Sequence, residues 1–116
     1  MSDEKMRVEN VAGTREGLRV LRCSGPMTIG SFFAFQEAAR EEKAERVVVD
    51  MAEVPYMDSA GLGAIVQALV SYQKQGRRLA LAGMNERVRA LFEMTHLERM
   101  FPMFATRAEA EQALAA

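Results

Sequence analysis

The sequence predicts one α/β domain over residues 1–116, a sandwich in which a mixed sheet of about five strands packs against about four helices. Three observations lead there. The chain opens with two short segments rich in Val and Leu, separated by a glycine-containing stretch, which reads as an antiparallel hairpin. Two later segments, residues 47–49 and 79–82, are apolar runs without polar alternation, the pattern of strands covered on both faces. Each of these runs is followed by apolar residues at helical spacing.

Taken in order, residues 6–11 and 18–24 are the hairpin strands, and residues 12–17, with Gly13 and Gly17, connect them. Gly25-Pro26 ends the second strand, and Ser31 is read as the N-cap of a helix running to about Lys43. Val47-Val48-Val49 belongs in the middle of the sheet. After a turn around Glu53-Val54-Pro55, Leu62, Ile65, Val66 and Leu69 mark the buried face of a second helix, which Gly76 ends at its C′ position. Leu79-Ala80-Leu81-Ala82 is the next strand. Asn85 then caps a helix with Val88, Leu91, Phe92 and Thr95 on one stripe. Residues 100–104 form a short edge strand, since Pro102 cannot donate to a ladder, and Thr106-Arg107-Ala108-Glu109 matches the capping box of a last helix.

The composition narrows the function. With 49% hydrophobic and 27% charged residues, the chain can build a core. Fifteen Lys and Arg against 16 Asp and Glu, interspersed, lack the basic footprint of direct nucleic-acid binding. The single cysteine, Cys23, cannot form an intramolecular disulfide, and the start Met1-Ser2-Asp3-Glu4-Lys5 has no apolar signal stretch, so a reducing cytoplasmic setting is expected. The weakly polar stretch 60–70 is too short for a membrane span, which needs about 20 residues.

Chemistry concentrates in Val54-Pro55-Tyr56-Met57-Asp58-Ser59-Ala60-Gly61-Leu62-Gly63, between a buried strand and the start of an amphipathic helix. Ser59 is read as the N-cap, where the positive end of the helix tolerates a negative group such as a phosphoryl. Asp-Ser before an apolar helix is equally a common way to begin a helix with no further role. The paired glycines are not a nucleotide fingerprint, because position 66 is valine and no P-loop lysine follows.

Asp58-Ser59-Ala60-Gly61-Leu62-Gly63, placed after Val47-Val48-Val49-Asp50, resembles the signature of STAS-domain anti-sigma factor antagonists. The likeness continues through Leu79-Ala80-Leu81-Ala82-Gly83, Met94-Thr95-His96-Leu97 and the final helix with Glu109-Ala110, so it covers nearly the whole chain. The resemblance implies a STAS-like sandwich and a protein-binding role rather than an enzyme. It implies binding to an anti-sigma factor serine kinase when Ser59 is unmodified, release when Ser59 is phosphorylated, and resetting by a phosphoprotein phosphatase. Partner contacts are then expected at Asp58, Ser59, Ala60, Gly61, Leu62, Gly63 and Thr28. Thr28, in Gly25-Pro26-Met27-Thr28, stands where the family often has an acidic residue. The alternative is a constitutive STAS module, a scaffold or transport-complex subunit, in which Ser59 does no more than cap a helix.

No catalytic residue, cofactor or metal site is expected. His96 is the only histidine, with no complete triad and no GxSxG elbow, and a place near a helix C-terminus suits it structurally. One histidine and one cysteine fall short of the three or four ligands of a zinc site. Phe33 should point away from the side shared by Phe32 and Phe35, and two partly buried helical faces are the favoured reading, with one exposed ring on a partner surface as the other. Met57, Met84, Met94, Met100 and Met103 are expected mostly to fill the core, with an adaptable interface as the other reading.

Overall fold

The computed structural model describes residues 5–115; residues 1–4 and 116, which include all but Lys5 of the polar start, lie outside the described residues. Its elements run β1 (Arg7–Ala12), β2 (Leu18–Ser24), α1 (Phe33–Glu41), β3 (Arg46–Glu53), α2 (Ser59–Lys74), β4 (Arg78–Ala82), α3 (Glu86–Met94), β5 (Met103–Phe104) and α4 (Arg107–Leu114). A 3-10 turn at Leu97–Arg99 links α3 to β5. The strands form one mixed sheet in the order β1-β2-β3-β4-β5, antiparallel between β1 and β2 and parallel thereafter.

The hairpin and the β-branched run sit where the sequence places them. Gly17 takes a positive φ of 80° in the β1–β2 turn, a conformation that a Cβ disfavours. β3 is central, with Val47, Val48 and Val49 fully buried because successive side chains enter cores on opposite faces. One core gathers Leu21, Val47, Val49, Met51, Leu79 and Leu81 under α1, α2 and α3. The smaller core on the other face packs Leu18, Val20, Val48, Ala80 and Ala82 against Ala110 and Leu114 of α4.

Buried polar groups hold the layers in register. Glu111, only 4% exposed, accepts from the Thr14 amide at 2.7 Å and from Arg107 Nε at 2.8 Å, pinning α4 to the hairpin turn. Arg46 donates to the Leu114 carbonyl at 3.0 Å, meeting one of the carbonyls left open at the C-terminus of α4. Tyr72 Oη donates to the Ala39 carbonyl at 2.8 Å and fixes α2 against α1.

Several boundaries differ from the sequence reading, each for a local reason. Ser31 is not the N-cap of α1: its hydroxyl donates to the Pro26 carbonyl at 2.6 Å, and Phe32 holds the cap position without a side-chain bond. The helix ends at Glu41, two residues before Lys43, because Glu42 turns extended and its carboxylate accepts from Asn10 and from the Ala44 amide. Val66 is half-buried, and the buried face of α2 shifts to Leu62, Ala64, Ile65, Ala68, Leu69 and Tyr72, since the helix meets both the sheet and α1. Thr95 is the exposed C-cap of α3 and not part of its buried stripe. β5 keeps only Met103–Phe104, because Met100 closes the 3-10 turn by donating its amide to Leu97.

Other terminators act as read. Gly76, at φ 73°, sits at C′ of α2 with its amide on the Gln73 carbonyl, while the Arg77 amide reaches Tyr72, a Schellman pair. Asn85 and Thr106 cap α3 and α4 through their side chains. Met57, Met84 and Met103 pack partly against the larger core, whereas Met94 and Met100 are exposed. No helix among the described residues is long and apolar enough to cross a membrane.

Candidate functional site

The site lies at the carboxyl ends of β2 and β3, where two loops are bonded to each other. Met27 donates its amide to the Tyr56 carbonyl at 3.1 Å, and Asp58 donates its own to the Met27 carbonyl at 3.2 Å. Met27 and Met57 thereby form an isolated parallel bridge that continues the adjacency of β2 and β3 past their ends. From the other side, Asn85 Nδ2 donates to the carbonyls of Val54 and Pro55 at 3.3 and 3.0 Å. The segment entering α2 is held between the β2–α1 loop and the start of α3.

Asp58, not Ser59, is the N-cap of α2. It is extended, at φ −108° and ψ −174°, and its Oδ1 accepts from the Gly61 amide at 3.0 Å, three residues on. Its Oδ2 accepts from the Ile29 amide at 2.9 Å. A carboxylate has two oxygens to serve two amides, which a hydroxyl cannot match, and that decides the cap between the two neighbouring acceptors. Burial pushes the Asp58 carboxyl up, but the amides of Gly61 and Ile29 outweigh it and hold its pKa below the usual aspartate value.

Ser59 consequently begins the helix with a free side chain. It is exposed, and its hydroxyl has no hydrogen-bond partner among the described residues. Such a hydroxyl, at the positive end of a 16-residue helix and next to a carboxylate, is chemically open to modification.

The other predicted contact residues divide. Gly63 is exposed, Ala60 and Thr28 are half-buried, and Gly61 and Leu62 face the interior. The two glycines do different work. A Cβ at Gly61 would overlap the Met27 carbonyl oxygen and come within 2.9 Å of the Met27 carbonyl carbon, so this glycine lets the loop touch the helix. A Cβ at Gly63 would meet nothing within 4 Å. Thr28 lies in the loop that Asp58 grips. Ser31 Oγ spends its proton on Pro26, so the Thr28 hydroxyl, 3.1 Å away, donates to Ser31.

Ile29 and Asn85 shape the site through a backbone amide and a cap amide, contacts with no sequence signature. His96 follows the far end of α3, φ 60°, while Asn85, the N-cap of that helix, is bonded to the site loop. Nine residues of helix, about 13 Å, separate the two. Cys23 is buried, and burial, reinforced by the charge of Asp50, pushes its thiol up to about 12. No group of three or more His, Cys, Asp or Glu side chains suited to a metal occurs among the described residues.

Comparison with known proteins bears on the fold and the family. An anti-sigma-B factor antagonist of Staphylococcus epidermidis is 39% identical over 59 residues, 51% of this chain and 55% of the relative. The chain thus aligns with about half the length of that relative. A crystal structure of an anti-sigma factor antagonist from Mycobacterium paratuberculosis superposes with a TM-score of 0.84 over 99% of this chain and 98% of that one, at 18% identity. The Bacillus cell fate determinant SpoIIAA in its phosphorylated form superposes with a TM-score of 0.69 over 92% and 98%, at 17% identity. Both structural matches are likenesses of fold. The family model described as STAS domain matches residues 10–110, which run from within β1 through the Asp58-Ser59 helix start to the first half of α4, and the chain belongs to the STAS domain family.

Proposed function

We propose that this domain is an anti-sigma factor antagonist that switches partners through Ser59. One observation carries the reading: Asp58 takes over the cap, leaving the Ser59 hydroxyl exposed and unbonded at the first residue of α2. The likeness to the Staphylococcus epidermidis anti-sigma-B factor antagonist supports the same role. In this reading the unmodified face around Ser59 binds an anti-sigma factor that is also a serine kinase. The kinase transfers the γ-phosphoryl of ATP to Ser59 Oγ, forming the O–P bond as ADP leaves and the hydroxyl gives up its proton. A phosphoprotein phosphatase restores the hydroxyl.

The geometry explains why the fold would survive modification while binding would not. A phosphoryl group adds about −1.5 to −2 charges at neutral pH, and the N-terminus of α2 stabilises negative charge. A partner docked there would meet that charge beside the Asp58 carboxylate, and burying an unpaired charge costs several kcal/mol. Phosphate mapping after incubation with kinase and ATP, and calorimetric titration of Ser59→Ala and Ser59→Asp, test the reading. Ser59→Ala should bind the kinase and resist release by ATP, and Ser59→Asp should fold normally and bind at least about tenfold more weakly. Equal affinities with Ser59 left unmodified would make the domain a constitutive binding module.

A further inference from the structure

The two edges of the sheet are unlike. β5 is two residues long and follows Pro102, whereas β1 is six residues long and pairs with β2 in unbroken register from Arg7↔Ser24 to Ala12↔Arg19. A short strand, a proline or a bulge blunts an edge against pairing with another chain, and β1 has none of the three. Arg7, Glu9, Asn10 and Ala12 are exposed, and among the described residues no strand lies beyond β1.

The ladder shows which backbone groups are open. The Gly13 amide donates to the Leu18 carbonyl at 2.8 Å, and bonded pairs alternate with unbonded ones along an antiparallel pair of strands. Arg7, Glu9 and Val11 share the phase of Gly13 and bond to β2, so Val8, Asn10 and Ala12 turn amide and carbonyl to the outer edge. The Ala12 carbonyl accepts there from Arg107 at 3.4 Å. The side chains carry charge in a defined order. Glu9 stands across from Arg22, with Arg22 Nη1 3.1 Å from Glu9 Oε1, and Arg22 stands across from Asp50. This row alternates in sign and ends on an acid at the open edge. Arg7 lies two residues from Glu9, on the same face.

We propose that β1 is a dimerisation edge whose occupant is β1 of a second copy of this chain, antiparallel about a two-fold axis at Val8. Charge complementarity selects both the occupant and the register. With the axis at Val8, Arg7 faces Glu9 of the second copy and Glu9 faces its Arg7, as the self-complementarity of a two-fold interface requires. Each row then reads Asp50, Arg22, Glu9 and the second copy's Arg7, with signs alternating across the junction. Like charges fall on the diagonals, which are longer than the direct pairs. Moving the axis one residue either way sets Arg7 against Arg7 or Glu9 against Glu9. The open backbone groups fit the same register: Val8 exchanges both its bonds with its counterpart, and Asn10 faces Met6. The dimer does not depend on the switch at Ser59, and it carries two Ser59 hydroxyls.

The test is sedimentation velocity of the full chain over a concentration series from about 10 to 500 µM, where an association of micromolar strength is resolved. Wild type should show a monomer–dimer equilibrium. Arg7→Glu makes both cross-copy pairs like-charged and should weaken dimerisation at least about tenfold. Adding Glu9→Arg to Arg7→Glu restores opposite charges across the axis and should recover most of the lost affinity. Val8→Pro removes an outward amide and no bond to β2, so it should sediment as a monomer that still melts cooperatively. Thermal melts establish that each variant is folded. Wild type that stays monomeric at the highest concentration would overturn the proposal, as would a dimer whose affinity Arg7→Glu and Val8→Pro leave unchanged, which would place the contact on another face. A double variant no stronger than Arg7→Glu would reject the Val8 register and the proposal with it.

Discussion

Replacing Asp58 separates two jobs done by one carboxylate. Oδ1 caps α2 through Gly61, and Oδ2 holds the β2–α1 loop through Ile29. Asp58→Ala removes both: a lost N-cap costs about 1 kcal/mol, and a charge-assisted bond to the Ile29 amide contributes about 1 to 2 kcal/mol more, so the loss should be about 2 to 3 kcal/mol. Asp58→Asn keeps a good capping oxygen but sets an amide nitrogen against the Ile29 N–H, and should lose about half as much. Urea melts at pH 7 measure the difference, and amide exchange resolves it: Ile29 should exchange faster in both variants, Gly61 only in Asp58→Ala. The acid limb gives a second check. The folded pKa of Asp58 is depressed, so its contribution is complete above the ordinary value of 3.8 and is lost as the pH falls through the folded value. The gap between wild type and Asp58→Asn should close in that window. Equal stability of wild type and Asp58→Asn at pH 7 would refute the loop-holding role.

The two neighbouring glycines should respond oppositely to a single methyl. Gly61→Ala forces the helix and the Met27 carbonyl apart and should destabilise by about 1 to 3 kcal/mol in a urea melt, whereas Gly63→Ala should stabilise by about 0.5 to 1 kcal/mol. Leu69, 2% exposed, should cost about 2 to 5 kcal/mol on truncation to Ala, and a loss under about half a kcal/mol would contradict its buried placement. Cys23, buried and with its thiol raised to about 12, should resist a thiol reagent at pH 8 in the native protein and react once urea unfolds it.

Periodicity located what depends on neighbours along the chain. Val47-Val48-Val49 announced the central strand and Gly76 the end of α2, because both rest on local patterns that tertiary contacts here reinforce. The sequence reading puts the cap of α2 on Ser59, one residue late, because Asp58 and Ser59 are adjacent and either type can cap. The choice depends on Ile29, 29 positions earlier, whose amide occupies the second carboxylate oxygen. Ser31 shows the same limit, its hydroxyl captured by Pro26 rather than by the helix it precedes. Gly61 and Gly63 are equivalent as letters and opposite in structure, because only the first faces a backbone that arrives from another loop.

Strand order bears on how the molecule reaches this state. Because β1 to β5 lie in space in the order in which they occur in the chain, each new strand finds its neighbour as the preceding one, and no strand must wait for a later segment to be inserted beside it. Only the β1–β2 hairpin closes a short loop, while each parallel pair closes a helical crossover and forms more slowly, but the order still lets assembly proceed from the N-terminus as the chain is made. During that growth β1 stays as one edge of the sheet and the advancing edge is always the newest strand. When growth stops at β5, the edge is two residues long and follows Pro102, too short to template pairing with another chain.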